Sequence, residues 1–157
     1  DSAHFEHNFM FGLGGRVNTY QAVKRVVPTV RNVYLPRSSG GQLSVYVSIK
    51  KRVPGEGKRA GWAAVNSHPN RKIAVVVDDD IDISDWMQVE WAMATRFQGS
   101  KDMIITHAKG SSLDPSADPV TRETTKIGFD LTIPWDKERE HFKKPDLPMK
   151  LNPDDYL

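Results

Sequence analysis

The chain has 157 residues, 38% of them hydrophobic and 27% charged, with a net charge of +2 and no cysteine. That length is one domain's worth and can bury a real core. No apolar run approaches a membrane span, nothing at the N-terminus resembles a signal peptide, and disulfide or thiolate chemistry is excluded, a composition that suits a cytoplasmic protein.

The small net charge hides an uneven distribution. Residues 1–77 hold 12 Lys/Arg against 3 Asp/Glu, and residues 78–157 hold 10 against 17. The basic residues are spread through several elements and do not form a stripe with interleaved aromatics, so no nucleic-acid surface is expected. Pairing between the two halves, within the fold or between copies, is the expected use of the asymmetry. The chain begins at Asp1 and not at Met, which points to a fragment, a processed piece or an incomplete polypeptide.

In chain order, residues 1–17 carry Phe5, Phe9, Met10 and Phe11 without clear periodicity and then Gly12, Gly14 and Gly15, and read as a lead-in segment. His4 and His7 flank Glu6 but lack a further ligand nearby, so surface histidines are expected. The glycine cluster reads as a hinge or turn. Residues 18–27 have helical spacing and stop at Pro28; residues 30–35 read as a strand closed by Pro36. A turn at 38–41 precedes a β-branched strand at 43–49, and 54–67 has the proline start and small packing residues of a helix. Gly55-Glu56-Gly57-Lys58-Arg59 resembles the end of a phosphate-binding loop, but its first glycine would fall at Arg52 and Arg59 replaces the metal-binding hydroxyl. A helix start is the expected reading.

Residues 72–78 form a continuous β-branched run, the pattern of a strand covered on both faces. It runs into Asp78, Asp79, Asp80 and Asp82, where open α/β sheets place ligands. Three readings compete for these acids: a divalent-cation site, since hard cations take carboxylate oxygens; helix capping, with Asp85 and Gln88 as a capping-box variant; or an acidic interface patch. The helix at 85–97 places Trp86, Val89, Met93 and Phe97 on one face, a core stripe. A strand at 103–107 ends at His107, a marginal site candidate, and the irregular loop at 109–119 is long enough to be functional. Residues 134–157 contain four prolines and alternating charges and read as a tail that is mobile or lies on a neighbour. The order α, β, β, α, β, α, β predicts an α/β three-layer domain with a mostly parallel or mixed sheet flanked by helices, spanning 18–133, between the 1–17 segment and an extended C-terminal tail at 134–157. No Ser/His/Asp arrangement can be argued from spacing.

Six blocks together resemble one family: VSIKKR at 47–52, GEGK at 55–58, VVVDDDIDI at 75–83, V-x-W-A-x-A-T-R-F at 89–97, GSSLDPSAD at 110–118 and TKIGFD at 125–130. They look like the C-terminal domain of UbiD-type decarboxylases, which use prenylated FMN to decarboxylate or carboxylate aromatic and α,β-unsaturated acids. The resemblance implies that the catalytic residues and those holding prenylated FMN, Mn²⁺ and K⁺ belong to a part N-terminal to this one. No catalytic residue and no metal ligand is therefore assigned here. It also implies a domain that oligomerises and closes over the active site, with the Gly110–Pro115 loop near the pocket. Ser111 and Leu113 are the candidate substrate-lining residues. Implied partners are identical copies, a flavin-binding part or subunit, and a flavin prenyltransferase. Under the resemblance the acidic cluster is expected to be structural. The competing readings are a stand-alone assembly subunit, a subunit of a heteromeric carboxylase, or a Mn²⁺-dependent nucleotide-sugar transferase using Asp78 and Asp80.

Overall fold

A computed structural model describes residues 2–144, with side chains from Gly14 onward. The side chains of His4, Glu6 and His7, and the tail from 145 on, lie outside the described residues. The elements are α1 (Ser2–Val26), β1 (Val30–Tyr34), β2 (Ser44–Ile49), α2 (Glu56–Val65), β3 (Ile73–Asp78), α3 (Trp86–Arg96), the short α4 (Gly99–Asp102), β4 (Met103–Lys109) and β5 (Glu123–Asp130), with single 3-10 turns at Arg37–Ser39 and Arg139–Phe142. They build one mixed sheet in the order β1-β2-β3-β5-β4. The central strands β2, β3 and β5 are mutually parallel, and β1 and β4 run antiparallel at the two edges.

The three layers follow from strand alternation. Val45, Val47 and Ile49 of β2 and Ala74 and Val76 of β3 meet Val23 and Val27 from the α1 side and Ala60, Ala64 and Val65 of α2. The opposite face carries Val75, Val77 and Leu131, covered by Val89 and Ala92 of α3 and by Ile81 and Ile83 from the turn before it. Residues 75–77 are at most 2% exposed, each burial contributing about 1.5–3 kcal/mol. No helix of the described residues is long and apolar enough to cross a membrane.

Three sequence expectations change. The first helix does not begin at 18 but already at Ser2, and the glycine cluster lies inside it. Gly15 leaves room there for the Arg71 guanidinium, whose end a Cβ would displace. Trp86 does not join the core stripe: it is half exposed and stacks on Tyr46 with ring centroids 6.2 Å apart, while Arg96 takes a buried place on the same helix. The third change is β5, a central strand that the element order omitted. Ile127 and Phe129 face α3, but the alternate positions are Lys126, Gly128 and Asp130, which do not look like core.

Those three residues are what α2 lies on. The Lys126 ammonium donates to the carbonyls of Val65 and His68, both at 3.1 Å, at the C-terminal end of α2. The Asp130 carboxylate lies against Gly57 in the first turn of α2. Opposite charges thus match the two ends of the helix dipole. Between them, a Cβ at Gly61 would approach Ile104 Cδ1 to 2.9 Å, and one at Gly128 to 3.0 Å. The GEGK segment is therefore a packing device. Gly55 turns the chain at φ 82°, Gly57 admits Asp130, and Glu56 is buried with its carboxylate accepting from Arg52 N (2.5 Å), Val53 N (3.3 Å) and Arg52 Nη2 (3.1 Å). Burial pushes the Glu56 carboxyl up, but these donors outweigh it and hold it below the usual range. The helix start already contains its own anion, which is why a phosphate loop is the wrong analogy.

We expect Gly57→Ala to destabilise the fold by about 1–3 kcal/mol, the usual cost of forcing atoms into a packed site, measured by urea unfolding. Combining it with Asp130→Gly should recover part of the loss, because the colliding carboxylate is then gone.

Candidate functional site

The C-terminal ends of the three parallel strands open on one edge of the sheet, the position where open α/β sheets hold ligands. Each end contributes to a cavity of about 240 Å³: Lys50 and Lys51 after β2, Asp78 at the end of β3, and Ile133, Pro134, Trp135, Lys137 and Arg139 after β5. Its wall is held in place from below. Lys51 Nζ donates to Thr132 Oγ1 at 3.0 Å and to the Ile133 carbonyl. Ile133 N donates to Asp78 Oδ2 at 2.6 Å. Asp130 Oδ1 accepts from Thr132 N at 3.0 Å and Thr132 Oγ1 at 2.7 Å. The chain leaving β5 is therefore fixed by the ends of β2 and β3 and by its own last residue. Burial pushes the carboxyls of both Asp78 and Asp130 up, against these donors and Lys51 nearby.

The acidic cluster is consumed by internal pairing. Asp80 receives the buried Arg96 guanidinium in two bonds of 3.1 and 2.7 Å, and although burial alone would raise its carboxyl, Arg96 holds it low. Arg96 also stands 3.8 Å from Asp78. Arg139 reaches back to Asp78 Oδ1 at 3.6 Å and Asp79 at 3.5 Å, and Arg31 approaches Asp79 at 3.9 Å. Asp82 accepts from Ser84 N and Oγ at 2.9 and 2.6 Å. Asp85 caps α3 by accepting from Met87 N at 3.0 Å, and Gln88 bonds Asp85 and reaches back to Asp82 N at 3.0 Å. The capping reading holds, with Asp82 taking the return bond of the box. The nucleotide-sugar transferase reading loses its support, since Asp78 and Asp80 face arginines. Among the described residues no three His, Cys, Asp or Glu gather as cation ligands.

Ser111 and Leu113 lie elsewhere. Because β4 is antiparallel to β5, the loop after it emerges at the N-terminal edge of the parallel strands, opposite the cavity. Ser111 Oγ accepts from Leu113 N at 3.1 Å, and Leu113 is half exposed. The loop is organised by the buried Asp114, which accepts from Lys72 Nζ (2.8 Å), Thr124 Oγ1 (2.7 Å), Ser116 Oγ (2.8 Å) and Ser116 N (3.1 Å). Burial acts against its charge, but those donors hold the Asp114 carboxyl far below the usual range. His107 is also on this edge, with Nδ1 3.3 Å from Thr125 Oγ1. The pairs Lys72–Asp114 and Arg31–Asp79 join the basic to the acidic half of the chain.

The cavity residues went unread for two reasons. Lys50 and Lys51 follow a strand as directly as Asp78 does, so the same positional argument would have marked them. Residues 134–139 read as tail because nothing in the local pattern marks β5, the strand that delivers them.

Two outcomes are expected. Asp80→Asn, alone or with Asp82→Asn, should lower stability by about 1–3 kcal/mol, because a buried guanidinium loses its partner; dialysis against Mn²⁺ followed by metal analysis should find no stoichiometric ion in either protein. Asp114→Asn should destabilise at neutral pH. The native carboxyl is depressed below the unfolded value near ~3.9, so its contribution is complete above about pH 5. As pH falls toward the depressed native value that contribution fades, and the two urea midpoints should converge.

Comparison with known proteins agrees with this architecture. Residues 8–131 match the sequence profile of the 3-octaprenyl-4-hydroxybenzoate carboxy-lyase C-terminal domain, UbiD_C. Anhydromevalonate phosphate decarboxylase of Methanocaldococcus jannaschii is 46% identical over 146 residues, covering 92% of this chain and 35% of that protein. The UbiD-class enzyme HmfF of Pelotomaculum thermopropionicum, solved in complex with FMN, superposes with a TM-score of 0.84 at 38% identity, over 97% of this chain and 34% of that one. An evolved dimeric form of HmfF in complex with prFMN gives a TM-score of 0.72 at 36% identity, over 97% and 32%. The chain thus spans about a third of the length of the relatives it matches. With its profile match spanning all five strands of the sheet, the chain belongs to the UbiD family, as its C-terminal domain.

Proposed function

We propose that this chain forms the C-terminal part of a decarboxylase or carboxylase that removes or adds CO₂ on an aromatic or α,β-unsaturated acid. The observation that carries the reading is the cavity at the C-terminal strand edge, in a fold shared with the C-terminal third of such enzymes. Its exposed rim of Lys50, Trp135, Lys137 and Arg139 is open to a facing part of the enzyme. Prenylated FMN, with Mn²⁺ and K⁺, would be held by a flavin-binding part or partner subunit. Asp78, Asp79 and Asp80 are engaged with arginines, and among the described residues no group of acids composes a cation site. This chain would contribute one wall of the substrate pocket, fixed in position by Lys51, Asp78 and Asp130, and would exclude water when the two parts close. Ser111 and Leu113 would touch substrate only if a facing part reached the opposite edge, so Ile133 and Trp135 are the stronger lining candidates. Self-association, supply of the flavin by a prenyltransferase and a cytoplasmic location complete the proposal.

The test is reconstitution. Produced with the flavin-binding part and a flavin prenyltransferase, the assembly should release CO₂ from at least one acid of an aromatic and unsaturated panel, or exchange with deuterium the vinylic or ring proton of the corresponding decarboxylated product. Neither part alone should do so. Lack of turnover and exchange across the panel, in an assembly shown to contain the prenylated flavin, would count against the reading.

A further inference from the structure

The two edges of the sheet are built differently. β1 has five residues, its register shifts between Val30 and Asn32, and Val33 N donates to Asn32 Oδ1 at 2.9 Å. A break in register and a side chain that occupies a backbone donor both stop an edge strand from pairing further. β4 has neither. Its seven residues run in unbroken register from Met103 to Lys109, without proline, and its single lysine is the last residue. The direction of its backbone groups follows from the ladder. Gly110 N donates to the Arg122 carbonyl at 2.8 Å, and hydrogen-bonded positions alternate along an antiparallel pair, so Ile104, Thr106 and Ala108 exchange bonds with β5. The N–H and carbonyl groups of Met103, Ile105, His107 and Lys109 therefore point out of the sheet. Among the described residues no hydrogen bond reaches those of Ile105 and His107. Ile104 meets Gly61 of α2, so the Ile105 side chain stands on the opposite face, where it is 58% exposed.

An edge in this state is a template for another strand, and the strand that fits it is β4 itself. Placed antiparallel about a two-fold axis at Thr106, all seven residues find partners. Ile105 and His107 then form hydrogen-bonded pairs with His107 and Ile105 of the second copy, Met103 and Lys109 pair in the same way, and Thr106 faces its own copy as a non-hydrogen-bonded pair. Only this register pairs the whole strand, and it keeps the two Lys109 ammonium groups at opposite ends. Other occupants fit less well. Pro145, Pro148 and Pro153 interrupt the C-terminal tail and remove donors that a ladder needs. A flavin-binding part joined ahead of α1 enters at the other edge, since α1 packs on β1 and α2. We propose that β4 pairs antiparallel with β4 of a second copy about Thr106, so that two sheets become one. The inference rests on the self-association proposed above and names the strand that carries it.

The experiment uses the assembled, flavin-containing enzyme. The chain has no cysteine, so Thr106→Cys places one thiol in it, at the axis. A non-hydrogen-bonded pair brings Cα atoms to about 4.5 Å, within the ~4.4–6.8 Å that a disulfide spans. Mild oxidation should link two copies through residue 106, read by peptide mapping, while Ile104→Cys, set opposite Ala108 by the register, should give no such link. In the native enzyme, hydrogen exchange at the amides of Ile105 and His107 should be at least tenfold slower than at His107 in Ile105→Lys, which puts a charge on the edge. Rapid exchange at both amides in the native enzyme overturns the pairing. Slow exchange without a link at residue 106, in a folded Thr106→Cys enzyme, also overturns it and assigns the edge to another segment. CO₂ release and sedimentation report separately. Turnover with rapid exchange at β4 keeps the decarboxylase and removes the pairing; linked copies without turnover do the reverse. An enzyme that sediments as a multimer yet exchanges rapidly at β4 self-associates elsewhere, so the pairing falls and the self-association stands.

Discussion

The contact on which the rest of the structure depends is the seating of α2 on β5. A helix crosses a sheet this closely only where side chains are absent, and Gly57, Gly61 and Gly128 supply that absence while Ile104 fills what remains. Close approach alone would leave helix ends over apolar strand. Instead Lys126 meets the carbonyl end and Asp130 the first turn. Both charged groups are buried, which is costly for each alone. Set against the two ends of one dipole, with carbonyl acceptors for the ammonium and donors from Thr132 for the carboxylate, they fix the register of helix against strand.

That seating reaches the site through one residue. Asp130 faces α2 on one side and orients Thr132 on the other, and Thr132 and Ile133 are then gripped by Lys51 and Asp78 from the neighbouring strand ends. The acid cluster that looks like a cation cage in the sequence is the middle of this frame. Its charges hold Arg96 in the core of the α3 layer and draw Arg139 back over the strand ends.

Much of the layer structure was legible. The β-branched runs at 43–49 and 72–78, the helix-spaced stripe from Val89 to Phe97 and the Asp85 cap each follow from local physics, and all recur in the structure. What was not legible depended on tertiary partners. Lys126 and Asp130 argue against a central strand until α2 is placed above them, and Gly15 argues against a helix until Arg71 is placed beside it. The cavity at the strand edge was hidden by the same cause. The positional argument for a ligand edge applies to strands that run parallel to their neighbours, and β4 does not. That direction is a property of pairing, which no stretch around Gly110 encodes.

The antiparallel β4 has another consequence. It closes the sheet by a hairpin whose loop is locked by Asp114 and Lys72 at the far edge, so this anchored loop and the cavity lie at opposite poles of one small domain. Positions 135–139 protrude from a frame that their side chains, apart from Arg139, do little to hold. Drift at those positions is thus inexpensive in stability, and a lineage could recast the rim by altering a handful of codons while the domain beneath kept its shape.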